Sequence, residues 1–434
     1  MKIILSHPSG NSNVRAIAKT MVDKGVLGKF YTSIATFPNS FWYTCAARGP
    51  LKDFRRRTYH NDLKSVTKCY PWRELGRSFS SKFGLENLIK HEEGPFCVDK
   101  VYQELDRYVA ARLKDEQEQG ATAVYAYEDG ALETFYRAKE LGLTCIYELP
   151  IAYWKTGRRL MMEEAVRLPQ WSETLGGGII DSKSKLQRKK LELQLADVVI
   201  GPGSFVMDSL PEWAKNKKQV ISPFGSPPIT QETDLYKPYK VDINSPLRVL
   251  FVGSMGQRKG LGDLFAAMKL LKNKNIELVV LGSMLSSMEF YRKEFPDFTY
   301  ETCREHSEVL ALMLSCDVFC LPSIVEGRAL VLQEAMSQGL PLIITPNTGG
   351  ADLIKEGKTG FLVPIRSPEK IAEKLEWFLN NRLKIPEMGE HSRTLAKSYS
   401  WEKYGTTIYR ALLQYFDATS GTEKSMNLGL IHAK

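Results

Sequence analysis

Two short stretches of this chain concentrate residue types suited to holding a diphosphate. In Phe251-Val252-Gly253-Ser254-Met255-Gly256-Gln257-Arg258-Lys259-Gly260, an apolar run gives way to small residues and then to two adjacent cations. Gly253 and Gly256 let the backbone come close to a ligand. Arg258 and Lys259 stand just before a helical pattern, whose N-terminus is itself attractive to anions. When a sugar–phosphate bond breaks, negative charge grows on the departing diphosphate, and fixed cations there stabilise the transition state. The second stretch, Pro322-Ser323-Ile324-Val325-Glu326-Gly327-Arg328-Ala329-Leu330, leads into Val331-Leu332-Gln333-Glu334-Ala335-Met336. Eight helical residues rise ~12 Å, close to the span from a hexose to the ribose of its nucleotide. Glu326 and Glu334, eight apart, can take sugar and ribose hydroxyls respectively, with loop amides between them; two glutamates merely facing solvent are the plainer alternative.

These residues need a scaffold, and the hydrophobic pattern supplies one. Apolar strand-like runs alternate with helical periodicity along the whole chain, which predicts parallel sheets covered by helices. Strands are expected at Lys2–Ser6, Ala123–Tyr127, Thr144–Tyr147 and Asp197–Gly201, then at Leu247–Val252, Ile276–Leu281, Val318–Leu321, Pro341–Thr345 and Phe361–Val363. Between the two series lies a polar, proline-rich interval. The expected division is an acceptor domain at 1–228, a linker at 229–246, a donor domain at 247–399, and a tail at 418–434. Pro368–Asn380 is expected to be a helix with Ser367 as its N-cap. Two doubly wound domains bind ligands beyond the carboxyl ends of their strands, so the cleft between them is the expected site.

Taken together, Gly253, Arg258-Lys259-Gly260, Leu321-Pro322-Ser323, Glu326-x7-Glu334-Ala335-Met336, Gly339-Leu340-Pro341, Gly349-Gly350 and Thr359-Gly360-Phe361-Leu362-Val363 resemble, in order and spacing, the donor half of family 4 retaining glycosyltransferases. The resemblance covers about 247–382 and implies the two-Rossmann GT-B fold. It implies that Arg258 and Lys259 hold the donor diphosphate, that Glu326 contacts the transferred sugar, and that Glu334 contacts the ribose. Gly253, Ser254, Gly327 and the amides of Arg328, Ala329 and Leu330 would line the donor, and Gly10 would let the first loop approach it from the other domain. The helix 401–416 would cross back onto the acceptor domain. A front-face path is implied, in which the leaving phosphate helps deprotonate the acceptor.

The chain departs from the family at three places. Gly253-Ser254 replaces a frequent Gly-Arg. Gly327-Arg328-Ala329 replaces Gly-Phe-Gly, so that Arg328 either adds a phosphate contact or closes the sugar pocket. Where the family often presents a histidine, this chain has Glu148; Glu128, in Tyr127-Glu128-Asp129, is a second acidic candidate, and His7 follows the first strand. These three are the acceptor-side candidates, each set against an ordinary structural role. The rival readings are a GT-B sugar-nucleotide epimerase or hydrolase, and a non-catalytic donor-binding relative.

Composition narrows the setting. The 434 residues are 43% hydrophobic and 25% charged, with a net charge of +9. No apolar run approaches the ~20 residues that span a bilayer, and the start carries no secretory pattern. Seven scattered cysteines form no Cys-x-x-Cys pair, which fits a reducing cytoplasm. His60, His91, His306, His391 and His432 show no metal-ligand spacing, and no Asp-x-Asp pair is present. No cofactor or metal is therefore expected beyond a nucleotide-sugar co-substrate. Between Arg48 and Lys82, basic residues interleave with Phe54, Tyr59, Tyr70, Trp72 and Phe79. With no nucleic-acid motif beside it, this segment suits an anionic membrane surface, where a glycan or lipid-linked acceptor would be met.

Overall fold

The computed structural model describes residues 1–40, 43, 55, 57–227, 244–272 and 275–431. The expected linker and Arg48, Lys52, Phe54 and Arg56 of the basic segment lie wholly or largely outside them. Among the described residues, thirteen strands form two sheets. The first contains β1 (Ile3–Ser6), β2 (Leu27–Thr32), β3 (Thr67–Cys69), β4 (Ala123–Tyr127), β5 (Thr144–Glu148), β6 (Val198–Gly201) and β7 (Lys218–Ile221), in the order β3-β2-β1-β4-β5-β6-β7. The second contains β8 (Leu247–Val252), β9 (Ile276–Leu281), β10 (Phe298–Glu301), β11 (Val318–Leu321), β12 (Leu342–Ile344) and β13 (Gly360–Leu362), in the order β10-β9-β8-β11-β12-β13. Every pairing is parallel. Helices cover both faces, so central strands such as β8 are nearly continuous apolar runs.

Strand order reverses between β1 and β4 in the first sheet and between β8 and β11 in the second. A crevice opens at each reversal, beyond the carboxyl ends of the strands. The loops after β8 and β11 hold Gly253–Gly260 and Pro322–Ala329 respectively, so the pairing of two adjacent strands brings together residues almost seventy positions apart.

Four strands escape hydrophobic patterning: β2, β3, β7 and β10. The last three are sheet edges, short and partly exposed, where the pattern is weakest. The helix Lys183–Leu195 also escapes apolar patterning. Its buried positions include Lys185, Lys189 and Glu192, so its inner face is charged and carries no apolar period. Ser182 caps it by accepting from the Lys185 amide at 3.2 Å. Ser367 takes the expected N-cap position of Pro368–Asn380 but makes no side-chain cap; its hydroxyl donates to the Ile365 carbonyl instead.

The last helix runs Trp401–Ile431, beyond the expected end at Phe416 and into the expected tail. Tyr404, Ile408 and Leu412, one helical turn apart, are buried in the core of the first sheet. The reverse exchange also occurs. Trp171, from the first half of the chain, is buried in the core of the second sheet. The two cores therefore trade segments at two places.

Candidate active site

Arg258, Lys259 and Glu326 meet. The Arg258 Nη1 donates to Glu326 Oε1 at 2.7 Å, and Lys259 Nζ lies 2.6 Å from the same oxygen. The trio carries one net positive charge beside a crevice. Burial, with Arg258 adjacent, pulls the Lys259 ammonium below its ordinary pKa, while Glu326 opposes that shift. The local backbone accounts for this convergence. The Ile324 amide donates to the Arg258 carbonyl at 2.9 Å, so the two loops are stitched together. Gly260 turns the chain with φ of 77°, and a Cβ there would sit 2.1 Å from the Pro322 carbonyl oxygen. Only glycine fits at such an approach with that φ. The Lys259 side chain lies across Gly253, and Ser254 O accepts from the Gly256 amide at 2.8 Å.

Gly327 presses against the other domain. A Cβ there would lie 1.7 Å from the Pro150 carbonyl oxygen. Glu326 and Ala329 donate their amides to the carbonyls of Asn347 and Thr348 at 3.1 and 3.2 Å. The Ala329 amide is thus engaged within the protein, which corrects its expected role of facing the phosphates. Arg328 and Leu330 lie at the start of the helix Leu330–Ser337.

The Arg328 side chain also departs from expectation. Its guanidinium is buried, donating to Gln333 Oε1 at 3.0 Å, to Gly349 O at 2.9 Å and to both oxygens of Asp352, with Tyr399 beneath it. It braces the loop from behind, with its donors committed to Gln333, Gly349 and Asp352 rather than turned to the crevice. Glu334 is partly buried on the helix, 3.9 Å from His306 Nδ1, and burial raises its pKa.

On the facing domain the acidic candidates separate. Glu148 is enclosed by Asn13 Nδ2 at 2.9 Å, the Tyr125 hydroxyl at 2.6 Å and the Tyr404 hydroxyl at 2.8 Å. It ties β5 to the first and last helices inside the core, and this saturation corrects its expected acceptor-side role. Glu128 differs. It is buried, Lys189 Nζ lies 3.4 Å from its Oε2, and its Oε1 has no hydrogen-bond partner among the described residues. Burial raises its pKa, which Lys189 opposes. Glu128 lines a pocket of about 280 Å³ with Arg158 and Lys189 on one side and Arg258 and Val325 on the other. The pocket therefore joins the acidic candidate to the cationic loop.

His7 is buried between the Tyr102 and Tyr127 rings, and its Nδ1 meets the Ser9 backbone, against both its amide, at 3.0 Å, and its carbonyl. Burial first, then Arg57, lowers its pKa to about 4, so it is a neutral imidazole. Gly10 packs under the Tyr59 hydroxyl. Sequence spacing gave no hint that His91, Glu92 and Asp181 come together, with ligand atoms within 4.8 Å of one another. These groups are already paired: Lys185 Nζ lies 3.1 Å from Asp181, and Ser182 donates to Glu92.

Comparison with known proteins agrees with this architecture. Residues 239–397 match the family described as Glycosyl transferases group 1. The D-inositol 3-phosphate glycosyltransferase of Paenarthrobacter aurescens is 28% identical over 184 residues, 40% of this chain and 44% of that one. The chain thus spans less than half of that relative's length. Sucrose-phosphate synthase of Thermosynechococcus elongatus superposes with a TM-score of 0.62 at 18% identity, covering 96% of this chain and 100% of that one. HepE of Anabaena, in complex with UDP, gives 0.60 at 13%, covering 95% and 100%. At such identities the likeness is one of fold. The chain has the GT-B fold, and its second sheet and covering helices carry the match to the group 1 glycosyl transferases.

Proposed function

We propose that this protein is a retaining glycosyltransferase of the family 4 type, which moves a sugar from a nucleoside-diphosphate sugar to a hydroxyl acceptor in glycan or polysaccharide biosynthesis. The observation that carries this reading is the convergence of Arg258 and Lys259 on Glu326 at the crevice between adjacent switch-point loops. In the reaction the bond from the anomeric carbon to the β-phosphate oxygen breaks, and its electron pair stays on phosphate. Arg258 and Lys259 stabilise that growing charge, and Glu326 holds the sugar's hydroxyls. The acceptor oxygen bonds to the same face of the anomeric carbon, and its proton passes to the departing phosphate. Glu128, which lines the pocket beside Arg258, orients the acceptor.

The two cations serve in place of a divalent ion. Relatives of this fold bind UDP, so UDP, GDP and ADP are the nucleotides to titrate by calorimetry against wild type and Lys259→Ala. Selective binding of one, weakened about tenfold or more by loss of a charge-assisted contact, supports the reading. Binding indifferent to Lys259, or none, overturns it.

The same reading puts the enzyme in the cytoplasm, at a membrane face. On the helix Trp72–Lys82, Trp72 and Phe79 are seven apart and share one side with Phe83, and they are 67%, 48% and 73% exposed. Leu85 continues the patch, and Lys68 and Lys90 flank it in sequence. Exposed aromatics with cations nearby suit the headgroup layer of an anionic bilayer, and sedimentation with vesicles tests this. No described helix is long and apolar enough to cross a membrane.

A further inference from the structure

The cationic loop of the donor domain is held from beneath by the other half of the chain. The helix Trp154–Arg167 and the turn Pro169–Thr174 precede β6 in sequence, yet they pack under Gly256–Gly260. Gln257, fully buried next to Arg258, is the contact point. Its amide donates to Thr174 Oγ1 at 3.0 Å. Its side-chain Nε2 donates to Glu164 Oε2 at 2.8 Å and to Asp263 Oδ2 at 2.9 Å, and its Oε1 accepts from the Gly262 amide at 3.0 Å. Arg167 bridges Glu164 and Asp263, giving two bonds to each. Arg366 closes the far side on Glu164. A Cβ on Gly256 would lie 2.4 Å from the Thr174 carbonyl oxygen, so the two backbones touch. Trp171 anchors the turn in the core of the second sheet, against Phe265, Phe290 and Tyr291.

Every hydrogen-bonding group of Gln257 that could let the loop drift is thereby fixed, while Arg258 and Lys259, one and two residues on, project toward Glu326. We propose that Glu164 and Thr174 are positioning residues: they set the height of the Arg258–Lys259 pair and so set affinity for the second phosphate of the donor. They act through Gln257 and touch no substrate. This rests on the proposed function, since it presumes that the pair binds a diphosphate.

The test is calorimetric titration of UDP, GDP and ADP, each beside its monophosphate, against wild type, Thr174→Val and Thr174→Ser, all at a temperature well below unfolding. Valine keeps the shape and removes the acceptor of a buried amide, a loss worth about tenfold in affinity when it displaces the loop. The expected result is that Thr174→Val loses about tenfold for the bound diphosphate, keeps its monophosphate affinity, and recovers in Thr174→Ser. Equal losses for both nucleotides, or no loss, overturn the positioning role while leaving the wild-type diphosphate site intact. Wild type binding no diphosphate overturns the function as well. Glu164→Gln, which keeps the shape but removes the charge facing Arg167 and Arg366, should narrow the same diphosphate preference; if it does not fold, the threonine pair still decides.

Discussion

Replacing Trp171 by alanine should destabilise the second domain, although the residue belongs to the first half of the chain. The indole is almost completely buried. Truncating a buried tryptophan to alanine costs about 3–5 kcal/mol. Its ring centroid lies 4.9 Å from that of Phe290 and 5.9 Å from those of Phe265 and Tyr291, edge-on or tilted. Such aromatic pairs contribute ~0.5–1.5 kcal/mol beyond their area. The indole N–H also donates to Glu294 Oε2 at 3.3 Å. A loss near ~4 kcal/mol corresponds to a fall of roughly 10 °C in Tm for a domain of this size. Scanning calorimetry reads the fall, and hydrogen exchange at β8 and β9 assigns it to the second sheet. Trp171→Phe, which retains most of the ring contacts, should lose about half as much. A Tm unchanged within ~2 °C, or weakened protection confined to the first sheet, would refute the reasoning.

Two further outcomes are expected. His7 has a folded pKa of about 4 against an ordinary 6.5, so the unfolded chain binds the extra proton between those values. The stability it contributes is complete above pH 6.5 and is lost as pH falls to 4, a total of ~3 kcal/mol. Urea unfolding at pH 7, 5 and 4 should show this slope, and His7→Asn should flatten it; an unchanged slope in the variant counts against a buried neutral His7. Sedimentation with phosphatidylglycerol vesicles should capture the protein at low salt, and Trp72→Ala with Phe83→Ala should weaken capture at least tenfold, from about 1.5–3 kcal/mol per buried aromatic. Equal capture by neutral vesicles, or by the double variant, would remove the membrane face.

The central strands and the Arg258–Lys259–Glu326 trio were legible in the sequence for one reason: each lies in, or directly after, an apolar run that is buried on both sides. Adjacency of β8 and β11 then does what spacing alone cannot express. Side-chain direction was not legible. Arg328 has the right type and position for a phosphate, yet Asp352 draws it to the back of its loop. Glu148 sits at a strand end like Glu128, but only packing distinguishes a carboxylate enclosed by three donors from one with an oxygen left over. The Gln257–Glu164 contact joins residues 93 positions apart. Glu164 and Arg167 pair at i,i+3, but nothing local announces that both turn toward the other domain.

The most direct test of glycosyl transfer is the release of nucleoside diphosphate from a panel of UDP-, GDP- and ADP-sugars by wild type and Glu326→Ala, with and without glycan acceptors. The account predicts release from one donor class, faster with an acceptor, and a fall of at least ~100-fold in the variant, the scale expected when a transition-state contact is removed. Turnover in Glu326→Ala near that of wild type would contradict it.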